Sequence, residues 1–502
     1  MLESENLHNL FLIKSLGRRL RSVPLFLLLV PYVFGILVAD TVVVPDWVLV
    51  VVFVVAVLVV ELWGRSRLLS AMAVSLAVLG FGYMTTTLLR PECNIADGEY
   101  ITARLRVKDI PSERDGYRLS HGVIEAWRGD SVAETPNYAV VLWIRNDSIR
   151  EGDVVELRTR FRSRMSRHEA YDKLLRNRGF VGGVGINNGD VISVERSGRL
   201  TLQSRAIRKL ERSMIDSVSH STVEAMVVGS RRLESSALSE AYSRTGLSHL
   251  MALSGLHLGI VVMVLTVLLT PIILLRHGHR WHNVAVVVVL WIYVIMSGAS
   301  ASLVRSALMF SVMHLAMMSS MRYNSLNALA TALFAMLIYR PTYIYDISFQ
   351  LSAVAVIGIV VWGVPLMRLV AQRGFILRSL ITTLIIGITA TMWTMPIVSH
   401  TFANIPYMGV VVTPVAMLTA YAIVCCGIFV LLLPHPLSIP FGWVMEHAAW
   451  VQNRFVDWVA QCDWVAVNYQ LSGVGVAIIY ALFAIITLLV WSLCEKNDNF
   501  VS

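Results

Sequence analysis

Two histidines and a serine stand at helical spacing at the start of a strongly apolar stretch, SHLMALSGLHLGIVV (Ser248–Val262). His249 and His257 are eight positions apart and share a broad face of a helix, while Ser254 is one turn from His257. The Ser254–Gly255 pair can kink or unwind a helix at this point. Hydroxyl and imidazole groups here could bind a polar solute, hydrogen-bond a neighbouring helix or perform acid–base chemistry.

Two further apolar stretches carry polar side chains. GASASLVRSALM places Arg305 near the start of one, and IYDISFQLSAVAV places Asp346, Gln350 and Ser352 in the other. An arginine within a bilayer helix costs about 2.5–3.5 kcal/mol on insertion scales, so it normally faces a partner or water. These side chains indicate a functional polar interior. The alternative is that Arg305 snorkels to the outer surface and that the histidines only hydrogen-bond neighbouring helices.

The same residues also permit an intramembrane hydrolase. In that hypothesis Ser254 is the nucleophile, His257 is its base and Asp346 orients the imidazole. The sequence contains no G-x-S-x-G nucleophile elbow, and a serine at a helix mouth more often packs or hydrogen-bonds. We therefore expect no enzymatic activity, with the hydrolase as the alternative.

A row of arginines forms a second candidate site, in the segment ELRTRFRSRM. Its alternate positions hold Arg158, Arg160, Arg162 and Arg164. The opposite face of the predicted strand holds Leu157, Thr159, Phe161 and Met165. Guanidinium groups suit phosphate oxygens, so this face is a candidate single-stranded nucleic-acid surface. The alternatives are a solvated strand face or a patch that rests on anionic lipid headgroups.

The elements that must position these groups are mostly apolar helices. The 502 residues are 56% hydrophobic and 15% charged, with a mean hydropathy of +0.65, whereas soluble proteins carry about a quarter charged residues. We predict a polytopic α-helical membrane protein with about ten to twelve spans. The apolar runs are Pro24–Ala39, Trp47–Val60, Leu69–Leu89, Leu247–Leu275, Asn283–Gly298, Leu303–Met318, Ser325–Ile338, Ile347–Val370, Ser379–Val398, Tyr407–Leu433 and Gly473–Cys494.

Five regions follow from the pattern. Residues 1–90 are N-terminal transmembrane helices. Residues 91–200 are a small β-barrel of OB type, inserted after the third span, because short β-rich runs alternate with Asp-Gly and Gly-Asp turns. Residues 201–222 are an interfacial amphipathic helix, 223–433 are the transmembrane core, and 434–502 are a tryptophan-rich interfacial helix and a last span.

The amphipathic helix has an apolar stripe, which we expect to lie on the membrane plane. The stripe consists of Ile207, Leu210, Met214 and Val218, and the polar side of Arg205, Arg208, Lys209 and Arg212. The tryptophan-rich segment Trp443–Trp464 holds four of the thirteen tryptophans. Basic residues of the short loops place the N-terminus in the cytoplasm and the β-barrel outside. They include Arg65, Arg276, Arg280, Arg322, Arg368, Arg373 and Arg378.

No cofactor or metal site is expected. The five cysteines show no C-x-x-C spacing and are read as small core residues. His277, His279 and His282 lie in a short loop without a carboxylate and are interpreted as a cytoplasmic basic anchor. No G-x-x-x-x-G-K-[ST] motif is present, so a P-loop ATPase within this chain is excluded.

Two long motifs resemble the ComEC competence-protein family. They are AMVVGSRRLESSALSEAYSRTGLSHLMALSGLHLGIV and ASLVRSALMFSVMHLAMMSSMRYNSLNALATALFAMLIYRPTYIYDISFQLSAVAVIGI. The resemblance extends over about 91–418 and implies an external OB-like domain and a bacterial inner-membrane channel that admits one strand of transforming DNA. The positions of this sequence that match the family's motif, and that the resemblance implies for the channel, are Gly246, His249, Ser254, Gly255, His257, Arg305, Gln350 and Ser352.

The resemblance also implies partners: single-stranded DNA, membrane lipid, an external DNA-receptor protein and a cytoplasmic ATP-driven, helicase-like motor. It does not decide whether one chain or a homo-oligomer forms the passage. Many members carry a C-terminal metallo-β-lactamase-like domain, whose metal motif is absent from this sequence, so we expect a form without that domain. A small-molecule or lipid exporter that shares the fold is a further alternative.

Overall fold

A computed structural model describes most of the chain. The described residues are 24–63, 66–89, 93–109, 111–114, 117–128, 133–134, 137–146, 148–166, 169, 172, 175–176, 179–196, 201–214, 217–230, 235–318, 324–370, 372, 374–403, 405–462, 466–467 and 469–498. Arg65, Arg322 and Arg373, on which the predicted orientation partly depends, lie outside them, as does Trp464.

Helices precede and follow one β-domain. The first three are α1 (Pro24–Ala39), α2 (Asp46–Trp63) and α3 (Arg67–Leu88). After the β-domain come α4 (Leu202–Glu211), α5 (Ser217–Val223), a π-helical turn (Glu224–Val228), α6 (Ser236–Arg244), α7 (Ser248–Met251), α8 (Gly255–Leu268) and a 3₁₀ turn (Thr270–Leu274). The next are α9 (Gly278–Met296), α10 (Ala301–Met318), α11 (Ser325–Tyr339), a 3₁₀ turn (Pro341–Tyr345), α12 (Ile347–Gly358), a π-helical turn (Ile359–Gly363) and α13 (Val364–Leu369). The last four are α14 (Phe375–Phe402), α15 (Gly409–Leu432), α16 (His435–Ala460) and α17 (Gly473–Asp498).

Within the described residues, six helical segments are long and apolar enough to cross a membrane. They are Leu69–Leu88, Gly278–Met296, Ala301–Met318, Ile347–Leu369, Leu377–Phe402 and Gly409–Leu432. Five shorter apolar helices accompany them: Pro24–Ala39, Trp47–Leu62, Gly255–Leu268, Ser325–Tyr339 and Gly473–Leu489. The helical nature of the apolar runs is therefore confirmed, and length and composition suggest a multi-pass membrane protein.

One predicted run is broken where the sequence suggested. Leu247–Leu275 divides into α7, α8 and a 3₁₀ turn. The chain is extended at Ala252 (φ −101°, ψ 131°) and at Ser254 (φ −114°, ψ 172°), so α8 begins at Gly255. The break predicted at Ser254–Gly255 is confirmed. The first backbone N–H groups of α8 therefore lie inside the molecule without an acceptor within the helix.

The β-domain contains a closed five-stranded barrel. Its strands are β1 (Tyr100–Val107), β3 (Tyr117–Arg128), β5 (Tyr138–Ile144), β6 (Val154–Arg162) and β7 (Gly182–Ile186). The short strands β2 (Ser112–Arg114) and β4 (Ala133–Glu134) pair with β3, and β8 (Val191–Glu195) pairs with β6. The barrel order is β1-β3-β5-β7-β6, and the β1–β6 pairing closes it. Only β5 and β7 pair in parallel among these barrel strands.

Inward side chains at alternate positions of the strands fill the barrel. Ile101, Leu105, Ile124, Leu157 and Phe161 are almost fully buried in one cluster. Because side chains of a strand alternate between two faces, the neighbouring positions of β6 are left outside.

The amphipathic stripe of α4 packs on protein. Ile207, Leu210 and Met214 belong to the same buried cluster as Met226 and Ile423, and the side chain of Val218 lies outside the described residues. The amphipathic pattern is therefore correct, and its apolar stripe is covered by protein, while the interfacial position of the helix stays a prediction. The α5–π segment and the helices α15 and α16 cover it.

Helix α16 has two different faces. Met445, Gln452 and Asn453 are buried against the bundle, whereas Trp450 and Trp458 are 52% and 67% exposed. The exposed tryptophans are compatible with an interfacial position, which stays a prediction.

Candidate functional site

The beginning of helix α10 lies next to α8 and next to α12. A Cβ atom placed on Gly255 would lie 2.7 Å from the Ser306 Oγ and 3.6 Å from the Arg305 Nη2. The Oγ atoms of Ser302 and Ser352 are 3.0 Å apart and connect α10 to α12. We name this group the polar cluster; it consists of Ser254, His257, Ser302, Arg305, Ser306 and Ser352.

Arg305 is the only arginine of the polar cluster and is 4% exposed. Its Nη2 donates a hydrogen bond to the Ser306 Oγ at 3.2 Å. Its Nε and Nη1 have no hydrogen-bond partner in the described part of the chain, and no described carboxylate forms an ion pair with it. The side chain therefore does not snorkel to the surface. A buried charge of this kind is costly unless something of opposite charge meets it.

His257 is fully buried at the start of α8. Its Nδ1 accepts a hydrogen bond from the Ser254 backbone N–H at 3.1 Å and lies 3.0 Å from the Ser254 Oγ. A ring nitrogen that accepts from a backbone N–H is unprotonated, so Nε2 carries the proton of the neutral ring. This Nε2 has no partner among the residues the structure describes. Like Arg305, His257 thus holds a buried donor without an acceptor in the described part of the chain.

The other predicted positions are placed by backbone turns. Gly246 has φ +75°, which favours glycine, and a Cβ there would lie 2.9 Å from the Pro406 Cβ. The His249 Nδ1 donates to the Gly246 carbonyl at 2.9 Å. Gly246 lies in the tight turn between α6 and α7 and packs beside Gly409 at the start of α15, while His249 belongs to α7 and hydrogen-bonds back to that turn.

The three positions of α12 differ in their roles. Asp346 accepts a hydrogen bond from the Phe349 N–H at 3.2 Å and caps the helix, while the Gln350 Nε2 donates to the Ile344 carbonyl at 2.8 Å. Ser352 reaches α10, through Ser302. Because the His257 Nε2 has no described partner and Nδ1 faces Ser254, Asp346 does not orient the imidazole. The Ser–His–Asp arrangement of the hydrolase alternative is not formed.

Sequence reasoning missed two groups of polar residues. Ser302 and Ser306 lie three positions before and one after Arg305, and the helical spacing of Ser302 could have identified it. A second, buried network joins Thr222, Tyr242, Thr419, Gln452 and Asn453. The Asn453 Oδ1 accepts from Thr222 at 2.8 Å and from Tyr242 at 3.0 Å, and Gln452 contacts Tyr242 at 3.1 Å and Thr419 at 2.9 Å. In the sequence, the adjacent amides Gln452 and Asn453 within a tryptophan-rich helix were the feature that could have indicated this network.

The arginine row lies on the outside of the barrel. All four arginines are exposed, and within β6 the alternate positions Leu157, Thr159 and Phe161 are buried, as the spacing predicted. The strand ends at Arg162, so Arg164 lies beyond the strand on which it was predicted. Arg160 donates through Nε to the Gly98 carbonyl at 2.9 Å. Arg158, Arg160 and Arg162 form no ion pair with a described carboxylate.

The neighbouring strand shows the opposite arrangement. On β1, Arg104 lies 2.9 Å from Glu195 and Arg106 lies 2.7 Å from Glu125, so these two charges are compensated. Beside the row, the backbone N–H of Ser163 donates to Asp97 at 2.7 Å. That hydrogen bond, helped by the charges of Arg160 and Arg162, lowers the pKa of Asp97.

The barrel contacts the helices near the beginning of α12. Glu151 accepts hydrogen bonds from Thr201 and Ser204 at the start of α4. A Cβ atom on Gly179 would lie 3.5 Å from the guanidinium carbon of Arg340, which follows α11 and precedes the 3₁₀ turn that leads into α12. The arginine row and the polar cluster are therefore carried by two units that touch at this end of the helices.

The comparisons with known proteins identify the helical part. A model of the family described as competence protein matches residues 226–493, more than half of the chain. The chain belongs to the competence protein family. This confirms the resemblance to ComEC-type proteins, although the match begins after the barrel and extends beyond residue 418, unlike the expected range of 91–418.

One member of known sequence gives the extent of the likeness. ComE operon protein 3 of Bacillus subtilis (strain 168) is 26% identical over 261 residues, which are 50% of this chain and 32% of that protein. The match therefore spans about a third of that relative's length. No solved structure matches the chain. All six residues of the polar cluster lie within the family match, and the arginine row lies outside it.

The three histidines predicted to lie in a short loop do not all do so, because His279 and His282 are within α9. The His282 Nε2 donates to the Thr266 carbonyl at 3.0 Å, while His277 and His279 are exposed. No group of three or more His, Cys, Asp or Glu suited to a metal ion occurs in the described ranges. Cys425, Cys426 and Cys462 are free thiols.

Proposed function

We propose that this competence-family chain forms a passage for single-stranded DNA across the bacterial plasma membrane during natural transformation. The observation that carries the proposal is the buried Arg305 guanidinium, whose Nε and Nη1 have no acceptor in the described chain. Membership of the family and the apolar helices support the same conclusion.

The chemistry of the polar cluster suits a passing phosphate. Arg305 and His257 offer N–H donors that have no acceptor among the described residues, and Ser254 and Ser306 add hydroxyl groups. A passage must replace phosphate hydration and yet release the strand, so few charges among neutral donors are favourable. We propose that Gly246, His249, Asp346, Gln350 and Ser352 shape the same passage through the turns and caps that they form.

The barrel is proposed to be an OB-fold on the outer side of the membrane, with the N-terminus of the chain in the cytoplasm. Its five strands, its closure and its single parallel pair support that assignment. In this position Arg158, Arg160, Arg162 and Arg164 would hold the incoming strand by its phosphates, which makes the encounter sensitive to salt.

Directional movement requires partners. Because the sequence has no P-loop, we propose that a cytoplasmic ATP-driven, helicase-like motor pulls the strand and that an external receptor protein delivers it. The chain itself is proposed to catalyse no reaction. The mass of the detergent-solubilised complex distinguishes a monomer from a homo-oligomer.

The second candidate function is a hydrolase, favoured by the 3.0 Å contact between Ser254 Oγ and His257 Nδ1. The contact is within one helical turn, and the missing carboxylate partner argues against it. Labelling of the wild-type protein, but not of Ser254→Ala, by a fluorophosphonate probe would establish the hydrolase instead.

The test is complementation of a deletion strain. Arg305→Met should abolish transformation, because methionine keeps the volume and removes the donors. Arg280→Met is the matched control, since Arg280 is exposed at the start of α9 and should leave transformation intact. Protein in the membrane fraction and transformation by electroporated DNA must equal wild type in both strains. Normal natural transformation with Arg305→Met would overturn the proposal.

A further inference from the structure

A basic cleft of ≈ 420 Å³ lies between α4 and the beginning of α16. The α4 side presents basic side chains and the α16 side presents His435 and Ser438. The basic residues are Arg205, Arg208, Lys209 and Arg212. Neither the arginine row nor the polar cluster contributes to its lining.

The helix that carries the positive charges of the cleft is fixed by its buried face and by a hydrogen bond to α15. Ile207 and Leu210 are buried in the core, so α4 cannot rotate without exposing them. Lys209 Nζ donates to the Leu431 carbonyl at 2.7 Å and joins α4 to the end of α15. The three arginines are exposed and form no ion pair with a carboxylate in the described ranges. A fixed concentration of positive charge therefore faces the cleft.

The surroundings of the cleft indicate which anion it takes. Helix α15 is a candidate membrane span that ends at Leu432, so the cleft lies where lipid headgroups would be. Leu432, Leu437 and Ile439 beside it are 56%, 59% and 53% exposed. Cations next to exposed apolar side chains suit a phosphate that carries acyl chains. A single-strand site would offer stacking aromatic rings, as the exposed Tyr100 does where it pairs with Arg160 beside the arginine row. The described lining of the cleft includes no Phe, Tyr or Trp.

We propose that this cleft binds the phosphate of an anionic phospholipid headgroup. The lipid would fix α4 against α15 and α16. Since Glu151 of the barrel accepts hydrogen bonds from Thr201 and Ser204 at the start of α4, the bound lipid also steadies the barrel on the helices. This role is independent of DNA passage.

The experiment uses the full chain in neutral detergent with added lipid. The Tm of the wild type should rise with phosphatidylglycerol and remain unchanged with phosphatidylcholine. The double variant R205Q/R212Q should lose more than half of that rise, whereas R158Q/R162Q on the barrel removes the same charge and should retain it. Lys209 is left unchanged because it binds the Leu431 carbonyl. If the double variant cannot be purified, R208Q replaces it.

Two further ligands test whether the cleft binds a lipid phosphate, free phosphate or the phosphates of DNA. Inorganic phosphate at the same concentration should not reproduce the rise in Tm. A short single-stranded oligonucleotide should bind R205Q/R212Q as it binds the wild type. An unchanged response of R205Q/R212Q to phosphatidylglycerol would overturn the proposal, as would an equal rise with inorganic phosphate. Loss of oligonucleotide binding in R205Q/R212Q would assign the cleft to DNA instead.

Discussion

Gly255 and Ser306 approach each other so closely that a Cβ atom on Gly255 would lie 2.7 Å from the Ser306 Oγ. This contact sets the distance between the start of α8 and the arginine-bearing turn of α10. Ser306 Oγ also donates a hydrogen bond to the Ser302 carbonyl at 3.0 Å and accepts one from the Arg305 Nη2. These two hydrogen bonds restrict the Ser306 side chain, so it has little freedom to move away from Gly255.

Gly255→Ala should therefore destabilise the protein by about 1–3 kcal/mol, the usual range for overpacking. Thermal unfolding in detergent measures this as a lower Tm. Gly259→Ala is the matched control on the same helix, because its nearest atom, Phe310 Cζ, would be 3.7 Å away in ordinary contact. Removing the hydroxyl in G255A/S306A should restore much of the Tm. A Tm of Gly255→Ala equal to wild type would contradict the close contact.

Arg305→Met should have opposite effects on stability and function. Replacing a buried, unpaired charge by an apolar side chain of similar volume is often neutral or stabilising by about 1–4 kcal/mol. We expect an unchanged or higher Tm together with the loss of DNA uptake. A large fall in Tm would mean that Arg305 serves the fold, and the loss of uptake would then have a structural cause.

The break at Ser254 and the alternation of β6 could be predicted because both depend on local rules. Serine followed by glycine favours a helix start, and a period of two separates Arg158 from Phe161 whatever surrounds the strand. The polar cluster could be predicted only in part. Ser352 joins α10 through Ser302, fifty positions away, and no local pattern reports such a distance.

The stripe of α4 shows why the remainder was not predictable. The spacing of its apolar residues fits a helix that packs on lipid and a helix that packs on protein equally well, since lipid chains and a protein core are both apolar. The surroundings of the stripe are decided by α15 and α16, which follow about 200 residues later in the chain. Their buried side chains, which include Ile423 and Met445, pack in the same cluster as the stripe. Amphipathicity identified the buried face of α4 correctly and left its neighbour undetermined.

The Asp97 carboxylate should make the stability of the protein depend on pH in the acid range. Its folded pKa is lowered from 3.8, chiefly by the Ser163 N–H, so it binds a proton more weakly in the folded than in the unfolded state. The stabilisation is complete above the unfolded pKa and is lost as pH falls through the folded pKa. Asp97→Asn should therefore flatten the dependence of Tm on pH below about pH 4. The same slope in wild type and variant would exclude this role.

The arginine row offers the most direct measurement on the barrel. R158Q/R162Q in the full chain should weaken binding of a single-stranded oligonucleotide. It should also reduce the slope of log K against log salt by about 1.4, which is about 0.7 for each phosphate that an arginine no longer neutralises. Arg160 is left in place because it hydrogen-bonds the Gly98 carbonyl.

The matched control is R104Q/R106Q on the adjacent strand, where Glu195 and Glu125 already compensate the two charges. Because β1 and β6 are paired at Thr102 and Arg158, both variants remove two positive charges from one region of the barrel. If binding depended only on net charge, the two variants would weaken it equally. A selective loss with R158Q/R162Q therefore requires that unpaired guanidinium groups contact the phosphates, and equal losses would reject the arginine row as a binding surface.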